Sequence, residues 1–96
     1  MRRLLRHLIV GTKGGLNRAK IIKYLEERPY NAYQLSEKLD LNYKTVRHHL
    51  KILEKNSLIR SSGEKYGTRY FLSDQMKENL DDFHQLWRKI EKNQSN

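Results

Sequence analysis

The chain has 96 residues, of which 36% are hydrophobic, enough for one modest core and no second, so residues 1–96 are expected to form a single domain. Twenty Lys and Arg stand against eleven Asp and Glu, a formal net charge of +9 with a pI near 9.9, which favours a polyanionic partner, nucleic acid before an anionic membrane surface. The absence of cysteine excludes disulfides, thiolate redox switching and cysteine-ligated metals, and no apolar run approaches the ~20 residues needed to span a bilayer.

The N-terminal stretch MRRLLRHLIVG has the basic start of a signal peptide, but Arg6 and His7 interrupt its apolar run and no small-residue cleavage site follows. The expectation is a soluble, cytoplasmic chain without a membrane partner. Residues 2–10 instead predict a short helix, with Leu4, Leu5, Leu8 and Ile9 on one side and Arg2, Arg3 and Arg6 towards the other. Too short to stand alone, it is either a phosphate-contacting arm or the outer part of a helix packed in a dimer, and Leu4, Leu5 and Leu8 favour the second. Gly11-Thr12-Lys13-Gly14-Gly15 breaks it. A glycine-rich turn with a lysine suggests a phosphate loop, but the Walker spacing and the preceding strand are missing.

A second helix is expected from about Leu16 to Arg28, with Ile21, Ile22 and Leu25 inward and Arg18, Lys20 and Lys23 elsewhere, ended by Pro29. Residues 31–55 then read as two short amphipathic helices joined by a tight turn at Leu39 to Leu41. Asn31 caps the first, with Gln34 in its third position and Tyr30 and Leu35 spaced as a hydrophobic staple; Asn42 caps the second, with Leu41 and Val46 repeating the staple. In the second helix Val46, Leu50 and Leu53 form the inward stripe, with His49 beside them. Lys44, Arg47, His48, Lys51 and Lys55 fall on the opposite face, Asn42, Tyr43 and Thr45 add hydrogen-bonding groups, and no acidic residue lies between Leu41 and Leu53. An exposed helix normally mixes both signs. This one fits the major groove of double-stranded DNA, with residues 43–55 as recognition helix.

Asn56 is a candidate left-handed stop for that helix. Residues 58–72 predict a hairpin of two strands, Leu58 to Ser61 and Thr68 to Leu72, around a loop at 62–67 that holds two glycines, Lys65 and Tyr66. Tyr70 and Leu72 should face the helices, Arg69 and Phe71 the other way. Lys65 and Arg69, with Lys44, are the candidate phosphate contacts, and the tip can reach the backbone or minor groove.

Finally, Ser73 or Asp74 caps a long helix running to about Lys92, with acidic residues early and basic ones late, as the macrodipole favours. Met76, Leu80, Phe83, Trp87 and Ile90 recur at four, three, four and three, a heptad seam that predicts a homodimer joined largely through this helix; the alternative is a stripe laid on the chain's own domain. Residues 73–96 carry four basic and five acidic side chains, against eight and two in residues 1–28, so the last quarter is least suited to phosphates. Residues 93–96 read as disordered. His48 and His49 are neighbours ~100° apart on the helix, so they do not face one another. His49 is expected to be partly buried on a hydrogen-bond acceptor and His48 to face the groove. No serine sits with a histidine and a carboxylate at motif spacing, so nothing here calls for an enzyme.

The fold class is thus mainly α with a small two-stranded β-wing, a winged helix-turn-helix with N-terminal and long C-terminal helices. On the segment Tyr43-Lys44-Thr45-Val46-Arg47-His48-His49-Leu50-Lys51-Ile52-Leu53, with Asn56-Ser57-Leu58-Ile59 as its exit and Gly63 to Gly67 as wing, the chain resembles the winged helix-turn-helix repressors of the ArsR type over about residues 16–92. His49, Leu50 and Leu53 match the family's histidine and core leucines. The resemblance implies a homodimeric transcription regulator binding double-stranded DNA, of bacterial or archaeal style. Members that sense metals through a cysteine pair at the recognition helix differ from this chain, which has none. Asp82-Phe83-His84 matches the first half of another group's zinc pattern in the last helix, but no later histidine completes it. No metal or other cofactor is therefore expected, and the sequence specifies no small-molecule effector. A protein-interaction or RNA-binding winged helix without operator specificity is the alternative function.

Overall fold

The computed structural model describes residues 1–94. Helix α1 (Arg2–Leu5) runs on into a π-wound turn, Arg6–Val10, closed by the Gly11 N–H on the Arg6 carbonyl. Leu5, Leu8 and Ile9 are buried along its inner side, as the apolar spacing requires. Helix α2 (Gly15–Glu27) follows so tightly that a Cβ on Gly15 would stand 1.6 Å from the Ile9 carbonyl oxygen, and one on Gly14 2.5 Å from His49 Cε1. The paired glycines of this turn therefore serve a close approach of backbone and side chain. Arg28, ahead of Pro29, is extended and ends α2.

The helix-turn-helix forms as its caps predict. Asn31 and Gln34 make a reciprocal capping box at the start of α3 (Ala32–Leu39), with bonds of 2.7 and 2.9 Å. The Asn42 Oδ1 accepts from Lys44 N–H at 2.8 Å to open α4 (Tyr43–Lys55). Asp40 takes the left-handed conformation that turns the chain between the two helices. At the end of α4 the left-handed residue is Ser57, with φ 62°, and not Asn56, which stays near φ −94° and returns its side-chain amide to the Ile52 carbonyl. The glycine-like turn thus falls one residue later than expected.

The wing strands are β2 (Ile59–Ser61) and β3 (Arg69–Leu72), and a third strand joins them: β1 (Tyr30–Asn31) pairs with β3, placing Tyr30 opposite Tyr70, while Ser61 lies opposite Tyr70 from the other side. The sheet order is β1-β3-β2, all antiparallel. Two residues with a proline before them gave no periodic signal, which is why the sequence showed two strands where the fold has three. Tyr70 and Leu72 are buried and Arg69 exposed, as the alternation predicted.

The long C-terminal helix is broken once. Ser73 caps α5 (Asp74–Glu78) through its Oγ, Asn79 leaves helical geometry, and α6 (Leu80–Gln94) runs to the end of the described residues. Asn93 and Gln94 are helical, contrary to the expected disorder; Ser95 and Asn96 lie outside the described residues. Met76, Phe83, Leu5 and Leu8 are buried in the chain's own core, while Leu4, Leu80, Trp87 and Ile90 are only partly covered at its edge. Phe83 and Trp87 stack at 6.2 Å. Three polar contacts tie α6 down: Arg2 reaches Asp82 and Gln85 at 3.4 and 3.1 Å, and His84 Nε2 meets the Glu26 carboxylate at 2.6 Å. Among the described residues no helix is long and apolar enough to cross a membrane.

Candidate nucleic-acid interface

Helix α4 is fixed from behind. Val46, Leu50 and Leu53 are fully buried against α2, α3 and the sheet, so the side chains on the opposite face are set in azimuth by packing. Lys44, Thr45, Arg47, His48, Lys51 and Lys55 are all exposed on that face, and Tyr43 is 48% exposed at its N-terminal end. Asn42 spends its carbonyl on the cap, which leaves its amide for an outside acceptor. Glu54 closes the cationic row at the far end and is the one acidic side chain lining the shallow groove of about 390 Å³ between α4 and β3, together with Lys44, Arg47, His48, Lys51 and Tyr70.

His49 is buried, as expected, but its partner is a donor. The buried Arg18 guanidinium gives one N–H to His49 Nδ1 at 3.2 Å and another, from Nε, to the Leu8 carbonyl at 2.8 Å, and also meets the Thr12 hydroxyl. An Nδ1 that accepts must be unprotonated, so the imidazole is neutral with its proton on Nε2. Burial, then the Arg18 charge, then His48 all push the His49 pKa down. Arg18 therefore joins the N-terminal segment to α4, although its place in α2 had suggested an outward side chain. The sequence held one clue: Arg18 is four residues before Ile22 and three before Ile21, on the same side of α2.

Arg47 is also held. Its Nη1 donates to the Tyr70 hydroxyl at 3.4 Å. Burial raises the Tyr70 pKa, with Arg47 opposing, so the phenol stays neutral at physiological pH. The alternation of β3 had placed Tyr70 inward as packing. That a buried phenol seeks a polar partner was the available signal for more.

The wing loop turns on Gly63 and Gly67, whose φ values of +78° and +67° are left-handed, and the Ser62 Oγ and N–H both bind Arg69 backbone groups at its base. At the tip Tyr66 is 82% exposed with Lys65 Nζ 5.7 Å from its ring centre. Lys65 and Arg69 are exposed. On the C-terminal side, Asp82 turns to Arg2 and His84 to Glu26, so the half-motif Asp82-Phe83-His84 is divided between two neighbours, and among the described residues no group of three or more His, Asp or Glu could hold a metal.

Residues 17–61, which contain α3, α4 and the first wing strand, match the family model of bacterial regulatory proteins of the arsR family. No curated protein matches the sequence. Among solved structures the chain is similar to the transcriptional regulator BldR from Sulfolobus solfataricus, at 12% identity and TM-score 0.71 over 92% of this chain and 66% of that one. It is also similar to HlyU from Vibrio cholerae, at 21% identity and TM-score 0.69 over 90% and 91% of the two chains, and to a variant of ZitR from Lactococcus lactis, at 22% identity and TM-score 0.59 over 79% and 57%. The chain thus spans slightly under two thirds of BldR and less of ZitR. At these identities the likeness is one of fold, while the family match lies on the helix-turn-helix itself. Together they show a winged helix-turn-helix fold whose residues 17–61 are similar to the arsR family of regulatory proteins.

Proposed function

We propose that the 96 residues act as one cytoplasmic, non-enzymatic unit that binds a specific double-stranded DNA operator as a homodimer. The observation that carries this reading is the outward face of α4, where Lys44, Arg47, His48 and Lys51 are exposed on a helix locked from behind by Val46, Leu50 and Leu53. Such a helix enters the major groove with its charges already aimed. Arg47 and Lys51, one turn apart, read base edges, with Tyr43, Thr45 and His48 beside them; Lys44, Lys65 and Arg69 contact phosphates.

The homodimer joins through the edge of α6 and the N-terminal helix, at Leu4, Leu80, Trp87 and Ile90, the members of the expected seam that the chain leaves partly uncovered. Leu5, Leu8, Met76 and Phe83 serve it indirectly, by holding those helices on the core. A two-fold dimer presents two α4 helices about 34 Å apart and selects a pseudo-palindrome.

Selection of bound duplexes from a random pool, with sedimentation of the free protein, tests both parts. One shared two-fold motif and a dimer are expected. Binding to single-stranded RNA in preference to every duplex, or no enrichment of any sequence, would reject operator recognition; a monomer at micromolar concentration would reject the dimer alone.

A further inference from the structure

A base-reading arginine is a long, flexible side chain that must lose its rotamer freedom before it can discriminate. In this chain part of that loss is met before DNA arrives. The Arg47 guanidinium is hydrogen-bonded to the Tyr70 hydroxyl at 3.4 Å, across the groove between α4 and the sheet. Tyr70 is only 6% exposed and sits in the central strand β3, opposite Tyr30 on one side and Ser61 on the other, so its hydroxyl has a fixed position.

The chemistry of the partner matters as much as its place. A carboxylate there would take two of the guanidinium donors and cancel the charge that DNA requires. A neutral phenol accepts one N–H and leaves four donors and the full positive charge for a base edge or phosphate. We propose that Tyr70 is a positioning residue for sequence recognition: by holding Arg47 it orients the guanidinium for one base of the operator, and it ties that reading to the sheet that carries the wing. The inference rests on the proposed operator binding.

The test is a double-mutant cycle read as a preference between duplexes. Tyr70→Phe deletes only the hydroxyl and keeps the ring in the core, and its melting temperature should stay close to that of the unmodified protein. On the operator found by selection, Tyr70→Phe should lower the preference for the correct base at the Arg47 position by about three- to tenfold, while binding to unrelated duplex is unchanged. In an Arg47→Ala background the same change should do nothing further. An unaltered preference in Tyr70→Phe, an equal loss on every duplex, or an undiminished effect in the Arg47→Ala background would overturn the assignment of Tyr70. If the unmodified protein prefers no duplex at all, operator recognition itself fails, and the role of Tyr70 falls with it.

Discussion

Helices α4 and α6 carry similar apolar stripes and opposite surroundings. On α4, Val46, Leu50 and Leu53 face the core and the outer face is cationic, with no ion pair to any acidic side chain among the described residues. On α6, Phe83 and Leu86 face the same core, but its polar side chains are drawn to neighbours, Asp82 to Arg2 and His84 to Glu26. The histidines differ likewise: the buried His49 accepts from a cation, whereas the half-exposed His84 meets a carboxylate. The lesson is that a stripe tells which residues turn inward, while the use of a helix is decided by what is left unpaired on its other side.

The largest expected effect tests whether the α6 stripe belongs to this chain's core. Phe83→Ala should cost about 3–5 kcal/mol of folding stability by urea or thermal unfolding, as for any fully buried aromatic. Trp87→Ala, at the partly covered edge, should cost clearly less and act mainly on dimer dissociation by sedimentation. Equal losses at the two positions would erase the distinction between core and edge.

Next comes the contact that joins the N-terminal segment to α4. Gly15→Ala places a methyl group within the Ile9 backbone, where only a shift of the segment can relieve it, and should cost about 2–3 kcal/mol. Hydrogen exchange should then rise first at Leu8 and Ile9. An alanine variant as stable as the original would mean that this approach is looser than the structure shows.

A smaller effect follows from His49. Its pKa is lowered below the ordinary 6.5, so between the two values the unfolded chain binds a proton that the folded chain does not. Stability from this group is therefore full above about pH 6.5 and falls as pH drops through the lowered folded-state pKa. His49→Gln keeps an acceptor for Arg18 and removes the titration. Comparison of urea midpoints at pH 7.5 and 5.5 should show a smaller drop in the variant, and an equal drop would assign the acid sensitivity elsewhere.

The smallest effect on the fold belongs to the outer face of α4. Lys44→Ala should leave unfolding unchanged, weaken all duplexes alike and reduce the salt dependence of binding by about 0.9 in log–log slope. A change in sequence preference at Lys44 instead would move it from phosphate to base.

The order of the main helices and the wing hairpin, the two caps, the inward stripe of α4 and its cationic face were legible in the sequence, because caps, turns and periodicity are local and act over three or four residues. Non-local pairings were not. Nothing near Tyr30 announces that two residues after a helix will complete a sheet with β3, and nothing near Arg18 announces His49, thirty-one residues on. The heptad spacing of Met76 to Ile90 was real, but a period is the same whether the stripe packs on its own chain or on a copy. Tertiary structure divided it, burying Met76 and Phe83 while leaving Trp87 and Ile90 at the edge. It also placed Tyr70 against Arg47, since only the closed fold brings a phenol from one strand within reach of a guanidinium on a helix twenty-three residues away.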